Sequence, residues 1–403
     1  MKVLLAAVNA KYIHSNLGIY SLKAYGEKML AEQGFKREQI QIELAEYTIN
    51  HQLEQILKDL YCRKPDVIGF SCYIWNISYI KCLLADIKKV LPEVKIWLGG
   101  PEVSYCGEEI LREQPAADLV MKGEGEETFA QLLQVLVEKE GSGASFSGYL
   151  EEIKQKWIPG LVFLDSQGNK DGASWGTFTG SDGQAGWPVY DTGIRPPMDM
   201  NRIPFPYGFL EMEQLEHRII YYESSRGCPF SCAYCLSSID KSVRFRSLER
   251  VKEELSFFLN ARVPQVKFVD RTFNCKKSHA MAVWQFIREN DNGITNFHFE
   301  IAADLLDQEE LNLLSSMRPG LIQLEIGVQS TNPDTLSAIR RKTDIAEIRK
   351  ITHHINSRHN IHQHLDLIAG LPWEDLESFK KSFNDVYEME PEQLQLGFLK
   401  VLK

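Results

Sequence analysis

The sequence predicts an α/β protein in two parts, a doubly wound parallel sheet followed by six β/α steps of a partial barrel. Three observations carry this. Short apolar runs alternate with amphipathic helical stretches over residues 2–136 and again over 218–401. Between them, from about 140 to 217, Gly, Ser, Asp and Pro become frequent and the alternation lapses. The 403 residues suffice for two domains with a core each. The divisions read as 1–140, a linker with a small hairpin over 141–217, and a barrel over 218–403.

In the first part, strands are expected at Lys2–Val8, Gln41–Glu46, Asp66–Ser71, Lys95–Gly99 and Asp118–Lys122. Helices are expected over 16–31, 52–62, 76–91, 107–113 and 126–139. The run from Lys2 to Val8 is almost wholly apolar, as suits a strand covered on both faces. It is too short for a secretory leader, and Lys11 follows at once. Five strands with helices between them give a flavodoxin-like (Rossmann-type) sheet, whose ligands sit at the carboxyl ends of the strands. Three of those ends are small or polar: Ser71-Cys72-Tyr73, Gly99-Gly100-Pro101-Glu102-Val103-Ser104 and Gly123-Glu124-Gly125-Glu126. Glycine at such a place lets the backbone approach a large flat ligand. In the linker, Ile158–Asp165 followed by Ser166-Gln167-Gly168-Asn169 reads as a hairpin, and Gly180–Gly186 as an exposed loop.

The second part has strands expected at 218–223, 266–270, 297–302, 322–327, 363–369 and 394–399. Its helices are expected over 247–261, 278–290, 308–316, 334–341, 345–357 and 375–388. Chemistry on such a barrel belongs to the carboxyl ends of its strands. The sequence stops just after the sixth strand, and an apolar last strand is seldom left without a cover, so truncation of a longer natural protein is expected.

Composition narrows the function. Hydrophobic residues make up 44% and charged ones 25%, an ordinary globular balance. A net charge of −10 and a pI near 5.6 argue against general affinity for a nucleic-acid backbone. Lys241, Arg244 and Arg246 form one local basic stretch, read as a solvated or ligand-facing surface. No apolar stretch approaches a membrane span.

The most specific motif is Ser-Ser-Arg-Gly-Cys-Pro-Phe-Ser-Cys-Ala-Tyr-Cys, which places Cys228, Cys232 and Cys235 on the loop after the first barrel strand. A C-x3-C-x2-C spacing can bring three thiolates to one point, enough for three irons of a [4Fe–4S] cluster, with the fourth left open. Free thiolates of this kind call for a reducing compartment, so the cytoplasm is expected.

On these residues the chain resembles the radical S-adenosylmethionine (SAM) enzymes. The resemblance implies that Cys228, Cys232 and Cys235 hold the cluster and that Tyr234 packs near the adenine of SAM. It places Asp270, in Asp270-Arg271-Thr272-Phe273-Asn274, where the family contacts the SAM amino group, although the Gly-Gly-Glu run common there is absent. Glu300, Glu325 and Gln329 resemble the groups that hold the ribose hydroxyls and the amino group. Gly370, in Gly370-Leu371-Pro372-Trp373, matches the backbone that passes the adenine. His362 and His364 read as core or surface histidines, and no acid or base is singled out.

The first part resembles the cobalamin-binding subgroup of that family. By that resemblance, Tyr12 and His14 in the first loop face the corrin or its tail. Ser71, Tyr73, Gly99, Gly100, Pro101, Glu102, Gly123, Glu124 and Gly125 line its place at the strand ends. The D-x-H-x-x-G run that supplies a lower cobalt ligand elsewhere is absent, since residue 12 is Tyr, so His14 is not expected to bind cobalt. The implied activity is reductive cleavage of SAM to a 5′-deoxyadenosyl radical, coupled to methylation of an unactivated carbon or phosphorus centre. Ring contraction or cyclisation with the same cofactors is the alternative. A methylthiotransferase-like tRNA enzyme, with a second cluster on Cys62, Cys72, Cys82 and Cys106, and a cobalamin-binding sensor with a vestigial barrel are more distant ones. The implied partners are a small-molecule or peptide substrate and an external one-electron reductant such as flavodoxin or ferredoxin.

Overall fold

A computed structural model describes residues 1–12, 14–36, 38–140, 146–164, 188–208 and 218–400. The chain divides into two compact units that part between residues 209 and 210.

The first unit is a seven-stranded sheet. Strands β1 (Lys2–Asn9), β2 (Gln41–Thr48), β3 (Val67–Ser71), β4 (Lys95–Gly99) and β5 (Leu119–Met121) lie parallel in the order β2-β1-β3-β4-β5. This is the flavodoxin-type order. The apolar run of β1 is buried along seven of its eight residues, because helices cover both faces of the sheet. The crossovers are α1 (Leu17–Glu32), α2 (Leu53–Arg63), α3 (Ile77–Val90) and α4 (Gly107–Glu113), with α5 (Glu126–Glu140) after the last parallel strand. Asn16 caps α1 by accepting the Ile19 N–H, and Gln52 with Gln55 forms a capping box on α2.

The segment expected as a linker behaves differently. It contains a helix, α6 (Phe146–Lys156), and two strands, β6 (Leu161–Leu164) and β7 (Val189–Asp191). These two strands pair with each other and extend the sheet antiparallel from β5, with Val120 opposite Val162 and Val162 opposite Asp191. The hairpin is therefore part of the first sheet, held by ladder bonds that a local reading cannot anticipate. The expected turn at Ser166–Asn169 and the loop at Gly180–Gly186 lie outside the described residues.

The second unit is an open parallel sheet of β8 (Ile219–Tyr222), β11 (Gln265–Phe268), β12 (Asn296–Ile301), β13 (Ile322–Gln329), β14 (His362–Ala369) and β15 (Gln393–Phe398). Neighbours in the sheet are neighbours in the chain, with β8 and β15 at its two ends. Helices α7 (Leu248–Asn260), α8 (Lys277–Glu289), α9 (Gln308–Ser315), α10 (Pro333–Ala338), α11 (Ile345–Asn356) and α12 (Leu376–Tyr387) follow the strands. Their starts are written in the sequence: Ser247, Asp307, Asn332, Asp344 and Asp375 each accept a first-turn N–H. Along β13 burial alternates strictly, Ile322, Leu324, Ile326 and Val328 being buried and the residues between them less so. The apolar set packs outward in an aromatic layer, where Phe299 lies 4.4 Å from Phe268 and 4.3 Å from Phe273 between ring centroids. The alternate set, Gln323, Glu325, His298, Glu300, His364 and Asp366, shares the opposite face of the sheet.

Between β8 and α7 a small antiparallel ladder, β9 (Ser225–Arg226) with β10 (Arg244–Phe245), closes the loop that bears the three cysteines. Among the described residues, no helix is long and apolar enough to cross a membrane.

Candidate active site

Cys228, Cys232 and Cys235 all line one cavity of about 210 Å3 at the carboxyl end of the second sheet. The loop begins at Gly227, whose φ of +92° suits glycine, and a Cβ there would meet the Ser242 carbonyl oxygen at 2.5 Å. That close approach lets the chain turn between the β9–β10 ladder and Cys228, whose N–H donates to the Asp240 carbonyl. Further along, Ala233 N–H donates to the Ile339 carbonyl, tying the loop to the end of α10. Tyr234 packs against the buried group of Leu336, Ile339 and Leu371. Burial pushes its hydroxyl up to about 12, against the pull of Arg341.

Arg341, which the sequence reading missed, faces this loop. Its Nη1 stands 3.3 Å from the Tyr234 hydroxyl and 3.8 Å from the Cys232 sulfur, while Nη2 donates to the Gly327 carbonyl. Next to that carbonyl the pairing of β13 with β14 slips by a residue, and Gln329 takes a φ of +73°. A non-glycine residue in that region is strained, and strain of this kind gathers at functional sites. Gln329 lines the cavity, with Glu300, Glu325 and Asp366 below it and Arg271 and Thr272 at the side.

Two expected residues stand elsewhere. Asp270 is fully buried and lines no part of the cavity; it accepts hydrogen bonds from the Ser224 N–H at 3.0 Å, the Ser224 hydroxyl at 2.7 Å and the Ser225 hydroxyl. Burial raises its carboxyl to about 6 against those bonds. Gly370, with φ +89°, opens the loop after β14 but is not on the cavity wall. Its neighbour Leu371 supports Tyr234 instead.

The cavity floor is an ionic group. Lys267 on β11 donates to Glu325 on β13 at 2.7 Å and lies 3.8 Å from Glu300 on β12. His298 Nε2 is 3.0 Å from the same Glu325 oxygen, off the line of a hydrogen bond, and His364 Nε2 is 3.0 Å from Asp366 in the same manner. Burial opposes the Glu325 charge, but His298 and Lys267 outweigh it and hold the carboxyl well below the usual range. Burial and the Glu325 charge lift Glu300 to about 7. His364, read as a core or surface residue, is buried in this group, and its Asp366 neighbour raises it despite burial.

At the carboxyl end of the first sheet, Gly100 has φ +114° and a Cβ there would meet the Cys72 carbonyl oxygen at 2.5 Å. Ser104 donates to the Gly100 carbonyl at 2.8 Å and accepts the Gly123 N–H at 3.3 Å, so the second and third glycine turns are joined. Asn76 donates to the carbonyls of Val8 and Ser71 and accepts the Tyr73 N–H, joining the ends of β1 and β3. Tyr73 stacks on Trp75 at 4.3 Å and 10°, and Trp75 is 45% exposed. Tyr12 is 66% exposed in the first loop. That loop is pinned by Glu46, which accepts from Asn9 Nδ2, the Asn16 N–H and the Tyr20 hydroxyl, while Asn9 also donates to the His14 carbonyl. Pro101 and Glu102 follow Gly100 in a turn, and Glu124 is engaged by the Met198 N–H at 3.0 Å. Gly125 closes the third turn just before α5, where a Cβ would lie 3.1 Å from Leu22.

The four other thiols of this unit do not form a group of one kind. Cys62 on α2 and Cys82 on α3 are exposed, whereas Cys72 and Cys106 are buried and donate to the carbonyls of Phe70 and Glu102. Burial pushes the Cys72 thiol up to about 12, which disfavours the thiolate that a metal needs.

Two family models match the chain, a B12 binding domain over residues 3–133 and the Radical SAM superfamily over residues 222–386. The chain is 29% identical over 228 residues to an uncharacterized methyltransferase of Pyrococcus horikoshii, covering 54% of this chain and 42% of that protein. It is 25% identical over 352 residues to the cobalamin-dependent radical SAM methyltransferase TokK of Streptomyces tokunonensis, covering 81% and 45%. In fold it resembles the radical SAM methyltransferase TsrM from Kitasatospora setae, solved with cobalamin and a [4Fe–4S] cluster bound. That match has a TM-score of 0.68 at 17% identity and covers 99% of this chain and 72% of that one. The chain thus spans about half the length of the curated relatives it matches.

Proposed function

We propose that the chain, which matches a B12 binding domain and the Radical SAM superfamily in succession, is a cobalamin-dependent radical SAM enzyme that transfers a methyl group from SAM to an unactivated carbon or phosphorus centre. The observation that carries the reading is the pairing, in one chain, of a three-cysteine cavity with close-packed glycine turns at the carboxyl end of a doubly wound sheet. When bound, the cluster and the corrin supply one-electron and methyl-transfer chemistry that no side chain can perform.

The chain's own part is to bind and orient. Cys228, Cys232 and Cys235, which line the cavity together, would hold the cluster through three of its irons. Tyr234 and Gln329 bound the space for SAM from the sides, and Glu300 with Glu325 bounds it from below. Arg341, beside Cys232, is placed to meet the SAM carboxylate with a charge-assisted bond. In the first unit, Gly99, Gly100 and Gly123 let the strand-end turns pack closely on Met121, Cys72 and Ile194, and with Ser71, Ser104, Tyr73 and Tyr12 these turns would border the corrin. His14 is not assigned to cobalt. The partners are a small-molecule or peptide substrate and a one-electron reductant, and the compartment is the reducing cytoplasm.

The methyltransferases among the relatives favour methyl transfer over ring contraction or cyclisation, and product analysis tests it. With substrate turning over, S-adenosylhomocysteine and 5′-deoxyadenosine are expected together in about equal amounts, because two SAM molecules serve two different steps. 5′-Deoxyadenosine formed with substrate but without S-adenosylhomocysteine would instead support the rearrangement reading.

A further inference from the structure

His298, Glu325 and His364 bring three donor atoms within 4.8 Å of one another, the spacing of a cation site. A cation is already there: the Lys267 ammonium, 2.7 Å from Glu325. Four adjacent strands deliver this arrangement, since Lys267 pairs with His298, Glu300 with Glu325 and Glu325 with His364 in register. We propose that Lys267 is a positioning residue for SAM, an internal cation that binds Glu325 closely at 2.7 Å and so leaves Glu300, the more loosely held of its two carboxyl neighbours at 3.8 Å, to respond to the sulfonium. This rests on the reading of the cavity as the SAM site.

The groups facing Glu300 are Lys267 and Arg271 from β11 and the loop after it, Glu325 from β13, Asp366 from β14 and Tyr221 from β8. His298 shares its strand, and His364 stands by Asp366. Burial and the Glu325 charge keep a proton on Glu300 up to about pH 7, while Lys267 and Arg271 pull the other way. SAM keeps its sulfonium charge at every pH, so it binds more tightly to the ionised form of Glu300. Affinity should therefore rise as pH increases through about 7. Removing the Lys267 charge takes away a cation that favours ionised Glu300, while His298 still holds Glu325 ionised, so the midpoint must move up.

The experiment measures SAM dissociation constants by equilibrium dialysis from pH 6 to 9, on anaerobically reconstituted protein without reductant, so that SAM stays intact. Lys267→Met should move the midpoint upward by about one pH unit or more, and Lys267→Arg should restore it. Glu300→Gln, which keeps the lysine, should remove the part of the pH dependence that belongs to the protein. The amino group of SAM titrates identically in all variants and cancels in the comparison. A merely structural role for Lys267 would weaken binding equally at all pH values. An unmoved midpoint in Lys267→Met, or an unaltered pH profile in Glu300→Gln, overturns the proposal. Iron content reports whether each variant holds its site, and Glu300→Gln decides alone if Lys267→Met does not. Wild-type protein that binds iron but no SAM would defeat the underlying site assignment instead.

Discussion

Cys228→Ala is expected to strip the anaerobically reconstituted chain of most of its about four irons and to abolish 5′-deoxyadenosine formation. Cys232→Ala and Cys235→Ala should do the same. The three thiols share one cavity wall on one loop, and the loop is fixed at both ends, by the β9–β10 ladder and by the Ala233 bond to Ile339. Cys275 is the one other thiol of the second unit, and it is not expected to replace a lost thiolate. Burial and the neighbouring Cys228 push its thiol up to about 11, so it stays protonated. Cys275→Ala should accordingly retain its iron. Full iron in the triple Cys228, Cys232 and Cys235 variant would place the cluster elsewhere.

The second large effect belongs to the first unit. Gly100→Val is expected to lower cobalamin retention more than ten-fold while leaving the iron content unchanged. Two costs coincide at this position. A φ of +114° is poorly accessible to a β-branched residue. The added Cβ would also press on the Cys72 carbonyl oxygen at 2.5 Å, which is backbone and cannot swing aside. The strain would displace the turn that Ser104 links to Gly123, and with it the arrangement of the strand ends. Absorbance of the corrin after gel filtration reports the loss, and iron analysis of the same sample is the internal control. Unchanged corrin binding would remove these turns from the site.

The fold was legible because most of its signals are local. The apolar run of β1, the caps at Ser247 and Asp307, and the alternation along β13 each appear within a few residues. What escaped was non-local. The pairing of β6 with β5 depends on Val162 meeting Val120 from 42 residues away in sequence, and nothing near Val162 announces it. The β9–β10 ladder is only two residues long on each side, below the reach of any periodicity.

The site divides in the same way. The cysteine loop is a contiguous motif, and the glycine turns sit at the ends of readable strands. Lys267, His298 and Arg341 are single polar residues on otherwise ordinary elements. Their meaning comes only from what the sheet brings beside them, Glu325 for the first two and Cys232 for the third. A polar residue alternating with apolar ones reads as solvent-facing, yet along β12 and β13 that face lines a barrel interior. Asp270 is the converse case: its position in the motif suggests a ligand contact, while in the fold Ser224 and Ser225, next to it in space, engage its carboxylate.

The two-cofactor reading is tested most directly by loading and counting. The full chain is reconstituted anaerobically with iron, sulfide and hydroxocobalamin, desalted, and analysed for iron, corrin and the products of SAM after strong reduction. About four irons and about one corrin per chain are expected, with both 5′-deoxyadenosine and S-adenosylhomocysteine in the mass spectrum. Iron and 5′-deoxyadenosine without any retained corrin would contradict the claim that this one chain serves both cofactors.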